Sequence, residues 1–272
     1  MRPSNCWCGS SVSMPGAGGK LMGKAAFALA YGLALSSAIA EENWIGRFPA
    51  RGEIPAPWQV EQIDKKIPAT RYQLRHWDGV NAVEANADAS MALLGRPLTV
   101  DLERTPILCW RWRVDHVLKG ADMRTKAGDD YAARVYLTFR IPPDQLGFGT
   151  RAKLALARSI YGDQVPDAAI NYVWDNVHPP ETLMNNAYTD RARMIVVRSG
   201  EREAGRWVTE QRDVQADFQR AFGSLRGQLS GLAIAVDTDN TREKARAGFA
   251  EFRFVPTKSD CANEIRAAAD QR

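Results

Sequence analysis

The sequence predicts a mainly β protein, an antiparallel β-sandwich or jelly roll with one or two inserted helices. Short segments of alternating apolar and polar residues recur along the 272-residue chain, and turn residues separate them. Helical spacing of apolar residues occurs only in insertions between these segments. The chain contains no self-similar repeat of about 20 to 50 residues, so we expect neither a propeller nor a solenoid.

Two segments show the alternation most clearly. Residues 107–114 read ILCWRWRV, and residues 131–140 read YAARVYLTFR, with Tyr131 at the start of the apolar set. Because successive side chains of a strand point to opposite faces, both segments predict one apolar face and one arginine-rich face. Further strands are predicted at residues 71–77, 80–87, 170–174, 194–198, 207–210, 231–237 and 249–255.

Helices are predicted at two insertions. Apolar residues between Asp144 and Gly162 fall at helical spacing, and the pattern stops at the glycine. A second helix is predicted from Asp213 to Phe222, with Gly223 as its stop. Residues 41–68 contain four prolines, which predicts an extended segment lying over the core.

The N-terminal 40 residues have the pattern of a secretory signal peptide. Lys20 and Lys24 precede an apolar run that ends in Ala38-Ile39-Ala40. The run is shorter than the ~20 residues of a membrane span, so after cleavage we expect no transmembrane span and a periplasmic or secreted protein. An uncleaved N-terminal anchor is the alternative. The domain organisation is then a leader at 1–40, one β-sandwich domain at 41–256, and a polar, loosely held tail at 257–272.

Removal of the leader changes the charge and the cysteine count. It takes three of the 36 basic residues and none of the 32 acidic ones, so the formal charge falls from +4 to +1. Without a basic patch, we expect no nucleic-acid binding. Cys109 and Cys261 are the cysteines that remain. In an oxidising compartment they form either a disulfide or two unpaired thiols, and the sequence leaves this open.

Two acidic loops are candidates for a ligand or metal site. One follows the strand at 231–237 and reads DTDNT, and the other is Asp129-Asp130 before the strand at 131–140. Asp237 and Asp239 carry the oxygen ligands that Ca²⁺ prefers, although the spacing is not that of an EF-hand. The alternative is a turn capped by Asp and Asn with no ion. If the two loops meet in space, we expect Ca²⁺ to be favoured.

A third candidate is the aromatic and amide pattern around Asn171 and Trp174. Proteins commonly hold sugars by stacking them on aromatic rings while amides and carboxylates bind the hydroxyls. Trp174 is equally compatible with a place in the core. The complete set of candidate ligand-binding residues is Asp129, Asp130, Tyr131, Arg134, Asn171, Trp174, Asp237, Asp239, Asn240 and Thr241.

The sequence favours a non-catalytic binding module for a glycan or a cell-envelope component. Neither a zinc-protease motif nor a serine nucleophile elbow is present, and the chain has three histidines. A carboxylate-based glycan hydrolase and a structural envelope protein without a small-molecule site remain the alternatives. The distance between carboxylates in the fold would distinguish hydrolysis from binding.

Several segments taken together resemble domain-of-unknown-function family 3047. They read LCWRWRVD, KAGDDYAARVYLTF, NYVWD, RDVQADFQRAFG and GLAIAVDTDNT. The resemblance extends over roughly residues 44–255. It implies an exported bacterial protein with a sandwich similar to galactose-binding-like domains and carbohydrate-binding modules. It implies no catalytic residues and no particular ligand, because sites vary on a shared fold.

Overall fold

The computed structural model describes residues 44–162 and 165–269. Within these ranges the chain forms thirteen strands and three α-helices. The strands are β1 Trp44–Gly46, β2 Gln59–Glu61, β3 Arg71–Trp77, β4 Val80–Asp88, β5 Leu93–Pro97, β6 Ile107–Val114, β7 Tyr131–Arg140, β8 Ala168–Asp175, β9 Leu183–Asn186, β10 Thr189–Ser199, β11 Val208–Asp213, β12 Gln228–Asp237 and β13 Lys244–Val255. The helices are α1 Phe148–Tyr161, α2 Val214–Phe222 and α3 Cys261–Ala269.

The strands form two sheets packed face to face. The six-stranded sheet has the order β11-β6-β13-β4-β3, and β1 pairs with β13. The seven-stranded sheet has the order β2-β5-β12-β7-β8-β10-β9. Every pair is antiparallel except β8 with β10, which is parallel because the β9 strand returns the chain before β10 begins. The predicted β-sandwich with inserted helices is confirmed, with this one parallel pair as the difference.

The core lies between the two sheets and is rich in aromatic rings. Trp110 of β6 stacks on Tyr172 of β8, with ring centroids 5.5 Å apart. Trp112 packs on Trp174 across the sheets in a tilted arrangement, with ring centroids 5.7 Å apart. Alternation in both strands turns these side chains inward together with the other apolar residues. Trp174 therefore lies in the core, the second of the two places that the sequence left open for it.

The two predicted helices are confirmed. Asp213 caps α2, since its Oδ1 accepts a hydrogen bond from the backbone N–H of Ala216 at 2.9 Å. Helix α2 ends at Gly223, which has φ of 68°. Helix α1 connects β7 to β8 and buries Leu154.

The C-terminal segment is more firmly held than the sequence suggests. Cys109 of β6 and Cys261 of α3 form a disulfide with a Cα–Cα distance of 5.4 Å. Both cysteines are buried beside Ile107 and Val255. Ile265 of α3 is buried as well. Residues 261–269 thus form a helix attached to the six-stranded sheet, where a loosely held polar tail was expected.

Among the described residues, no helix is long and apolar enough to span a membrane. The leader predicted at residues 1–40 lies outside the described residues.

Candidate functional site

The two acidic loops meet at one end of the seven-stranded sheet. Strand β12 runs antiparallel to β7, so Asp237 at the end of β12 pairs with Tyr131 at the start of β7. The loop before β7 carries Asp129 and Asp130, and the loop after β12 carries Asp239. One oxygen each of Asp130, Asp237 and Asp239 lies within 4.8 Å of the others. We call this group, with Asp129 and Arg134, the acidic site.

Arg134 is the positive charge inside the acidic site. It is buried, and its guanidinium forms an ion pair with the carboxylate of Asp237. Its Nη2 also donates to the backbone carbonyl of Asp129 at 3.1 Å, and its Nη1 lies 3.8 Å from the Asp129 carboxylate. Burial opposes the charge on Arg134, but Tyr136 and the carboxylates of Asp129 and Asp130 hold its pKa above the ordinary value. The guanidinium therefore stays charged and neutralises part of the cluster.

Asp130 holds the turn that follows β12. Its carboxylate accepts hydrogen bonds from the backbone N–H groups of Asn240, at 3.3 Å, and Thr241, at 2.6 Å. Thr238 anchors the same turn, because its Oγ1 accepts from the N–H of Ser90 at 3.3 Å. Asp130 therefore has hydrogen-bond partners within the protein itself, as in a turn capped by Asp without an ion.

The net charge of the acidic site is negative. Four carboxylates face a single guanidinium, so the charges do not cancel. Partial burial and the neighbouring carboxylates of Asp130 and Asp129 raise the pKa of Asp239 above its ordinary value. The charged form of Asp239 is therefore less favourable here than in a solvent-exposed aspartate.

The oxygen donors suit Ca²⁺, but the protein already occupies most of them. Asp130, Asp237 and Asp239 would be the carboxylate ligands. Asp237 is paired with Arg134, and Asp130 binds two backbone N–H groups. The condition set by the sequence, that the loops meet, is fulfilled. In the same group the guanidinium of Arg134 contacts the carboxylates of Asp237 and Asp129.

Tyr131 and Asn171 place polar atoms on the outer face of the sheet. Between the pairs Tyr131↔Asp237 and Arg134↔Ala235, β7 advances three residues while β12 advances two. This bulge turns the Tyr131 ring to the side of Arg134, whose Cζ lies 4.4 Å from the ring centroid, rather than into the core as the alternation predicted. Asn171 pairs with Tyr136 on the neighbouring strand.

Three buried side-chain atoms of this region have no hydrogen-bond partner among the described residues. They are the hydroxyl of Tyr131, Oδ1 of Asn171 and Oγ1 of Thr241. Tyr131 is 2% exposed and Asn171 is 1% exposed. Buried polar groups are nearly always hydrogen-bonded in native proteins, so each of these atoms requires a partner. This region thus has a hydroxyl, an amide oxygen and a second hydroxyl whose hydrogen bonds are not made to protein groups of the described residues.

The sequence did not single out the aromatic rim of the site. Asn186 of β9 donates from Nδ2 to both carboxylate oxygens of Asp129, at 3.1 Å each. This contact brings the exposed ring of Tyr188 to the site, where its hydroxyl donates to the carbonyl of Lys126 at 3.2 Å. An aromatic residue in the turn sequence NNAYT was the available signal.

A separate cleft of about 250 Å³ opens on the six-stranded sheet. It is lined mainly by polar and charged side chains, which are Arg71, Asn86, Asp88, His116, Lys244 and Arg246. Lys244 pairs with Asp88 at 2.9 Å, and Arg246 pairs with Asp115 at 2.7 Å. The cleft contains none of the predicted site residues, and its ion pairs satisfy most of its charges. We therefore place the candidate site at the acidic cluster.

The structure thus defines the protein by its fold: a β-sandwich with a polar, carboxylate-rich site at one end of its larger sheet. The chain belongs to the family described as "Protein of unknown function (DUF3047)", whose sequence profile matches residues 56–253. No curated protein sequence matches the chain.

Solved structures with a similar arrangement of strands include two from Clostridium thermocellum. The family 11 carbohydrate-binding module, in complex with a β-1,3-1,4-mixed-linked tetrasaccharide, has 6% identity and a TM-score of 0.35, covering 79% of this chain and 95% of its own. The family 30 module of a cellulosomal cellulase has 9% identity and a TM-score of 0.35, covering 79% of this chain and 91% of its own. Endoglucanase 3 of Trichoderma harzianum, from glycoside hydrolase family 12, has 5% identity and a TM-score of 0.35, covering 75% and 100%. Likenesses this weak say nothing about a ligand of this chain.

Proposed function

We propose that the protein is a non-catalytic binding module for a glycan or another polyhydroxylated component of the cell envelope. The observation that carries this proposal is the set of buried polar atoms without partners at the acidic site, which belong to Tyr131, Asn171 and Thr241. Sugar hydroxyls both donate and accept hydrogen bonds, so they match such a mixture of groups. The exposed ring of Tyr188 provides a flat surface at the rim.

The carboxylates favour binding over hydrolysis. A glycoside hydrolase needs an acid and a carboxylate about 5–10 Å apart on the two sides of the bond to be cleaved. One oxygen each of Asp130, Asp237 and Asp239 lies within 4.8 Å of the others, just below this range, and Asp130 and Asp237 are held by protein groups. Burial also raises the pKa of Glu210, but this residue faces the core and is bonded to Trp112 and Arg198.

We further propose that the protein works in the periplasm or outside the cell. The leader-like sequence at residues 1–40 supports this location. Cell fractionation with N-terminal sequencing tests it: the mature protein should begin at Glu41 and leave the cytoplasm. A cytoplasmic protein that retains residues 1–40 would refute the location.

A glycan array probed with the chain from Glu41 onward tests the proposed function. We expect binding to a defined set of glycans, weakened about tenfold or more in Asp239→Asn and in Tyr188→Ala, because each removes one contact at the rim. Asp144→Asn, an exposed carboxylate at the other end of β7, is the matched control and should bind as the wild type does.

The melting temperature of each variant and the release of reducing sugar are measured alongside the array. Equal binding by the rim variants and the control would place the ligand elsewhere. Absence of any glycan binding by the folded protein would refute the proposal. Release of reducing sugar from a bound glycan, lost in Asp239→Asn, would replace binding by hydrolysis.

A further inference from the structure

Helix α1 presents an apolar side to solvent. It has fourteen residues and connects β7 to β8. Leu154 is its buried side chain among those described, and an advance of 100° per residue places Phe148, Ala152 and Leu156 on the opposite side. Phe148 is 86% exposed and Leu156 is 63% exposed. A helix at a protein surface normally turns polar residues to solvent, so this helix has an apolar face without a partner in the described structure.

The charges that flank this face are all positive. Arg151 and Lys153 are exposed on its two sides, and neither has a side-chain partner among the described residues. Arg158 is on the protein side and pairs with Asp167 at 2.7 Å. The sequence contains no Asp or Glu between Asp144 and Asp163. The exposed face is therefore apolar at its centre and cationic at its edges.

We propose that α1 docks the protein on the surface of an anionic phospholipid bilayer. An apolar face between basic residues is the pattern of helices that lie in the interfacial region of membranes. Phe148 and Leu156 enter the boundary between headgroups and acyl chains, while Arg151 and Lys153 contact the lipid phosphates. At fourteen residues, α1 is too short to span the bilayer and lies parallel to its surface.

The charge pattern also argues against a second copy as the occupant. Two α1 faces packed together would bring Arg151 and Lys153 of one copy close to the same residues of the other. No carboxylate on the helix compensates this repulsion. An anionic surface supplies the opposite charge, and its apolar interior covers the two exposed side chains.

Docking through α1 leaves the acidic site accessible. Helix α1 follows the end of β7, whereas the acidic site lies at the start of that strand. The ten residues of β7 correspond to about 33 Å at about 3.3 Å per residue. The proposal does not depend on the identity of a ligand at the acidic site.

Vesicle flotation tests the proposal with the chain from Glu41 onward, since the apolar leader would bind lipid by itself. The vesicles contain phosphatidylcholine with about a quarter of phosphatidylglycerol, or phosphatidylcholine alone. We expect binding to the anionic vesicles to be about tenfold or more stronger. The variants Phe148→Ser/Leu156→Ser and Arg151→Gln/Lys153→Gln should each weaken it about tenfold or more.

Matched controls keep the result interpretable. Val177→Ser removes an exposed apolar side chain elsewhere, and Lys65→Gln/Lys66→Gln removes two exposed charges elsewhere. Both should bind anionic vesicles within about twofold of the wild type, and all variants should keep the wild-type melting temperature within a few degrees. Equal binding to both vesicle types, or unchanged binding of the two α1 variants, would overturn the proposal. Self-association abolished by Phe148→Ser/Leu156→Ser would make a second copy the occupant instead.

Discussion

Reduction or removal of the Cys109–Cys261 disulfide should cost a large part of the stability of the fold. The cysteines are 152 residues apart in sequence. For a loop of this length, the chain-entropy relation gives about 5 kcal/mol at 25 °C. Domains of this size are typically stable by about 5–15 kcal/mol, so the loss would be easy to measure.

The structure also indicates which part of the fold detaches first when the disulfide is removed. Apart from the disulfide, α3 is held mainly by the burial of Ile265, an ion pair between Arg253 and Glu264 at 3.0 Å, and a hydrogen bond from the N–H of Cys261 to Gln211 at 3.2 Å. These contacts contribute a few kcal/mol together. Ordering the nine residues costs about 1–2 kcal/mol each. Without the disulfide, α3 should therefore detach from the six-stranded sheet.

Urea unfolding followed by tryptophan fluorescence measures the global effect, and amide hydrogen exchange of residues 261–269 measures the local one. Cys109→Ala/Cys261→Ala and the reduced wild type should agree, with a loss of about 4–5 kcal/mol and rapid exchange in α3. A loss of stability below about 1 kcal/mol, with α3 still protected from hydrogen exchange, would refute the reasoning. The disulfide would then neither restrict the unfolded chain nor anchor α3.

Three further predictions concern the acidic site. Arg134→Met leaves the buried Asp237 carboxylate without its counter-charge and should lower the free energy of unfolding in urea by about 3–5 kcal/mol. The double variant Arg134→Met/Asp237→Asn should regain most of this stability. Equal stability of the two variants would contradict the prediction. Folding raises the pKa of Asp239. The contribution of this residue to the stability of the fold therefore falls as the pH rises above 3.8, the ordinary pKa of an aspartate. Asp239→Asn should therefore melt at a higher temperature than the wild type at pH 7, and the difference should shrink towards pH 4; a difference that does not vary with pH would exclude repulsion as the cause. Complete chelation of divalent cations should leave the melting temperature unchanged, since Arg134 and backbone N–H groups hold the carboxylates, and a fall of several degrees would instead assign the cluster to a metal.

The alternating segments were predictable because a strand that lies between core and surface must repeat every two residues. The strands at 107–114 and 131–140 have the predicted bounds. Strands β1, β2, β5 and β9 were not predicted, since each has three to five residues and lacks a usable alternation. Their existence depends on neighbouring strands that offer free N–H and C=O groups.

The residues of the acidic site could be predicted from the sequence, but the geometry of the site could be predicted only in part. Asp129, Asp130, Asp237 and Asp239 were candidates because grouped carboxylates repel one another unless neutralised and carry the oxygen ligands that Ca²⁺ prefers. The bulge that turns Tyr131 towards Arg134 arises from the register between β7 and β12, which no local pattern records. The core position of Trp174 was left open for a related reason: alternation shows that it shares a face with Tyr172, but not which face meets the core.

The sequence by itself determined the leader-like segment, the β-rich class, the two main helices and the family. These properties depend on composition and on periodicity over a few residues, and such signals are local. The tertiary structure alone decided that the two acidic loops meet around Arg134, that Cys109 lies within bonding distance of Cys261, and that α1 leaves Phe148 in solvent. Each of these depends on contacts between segments distant in the chain, because register and packing are set by the free energy of the whole sandwich rather than by any one strand.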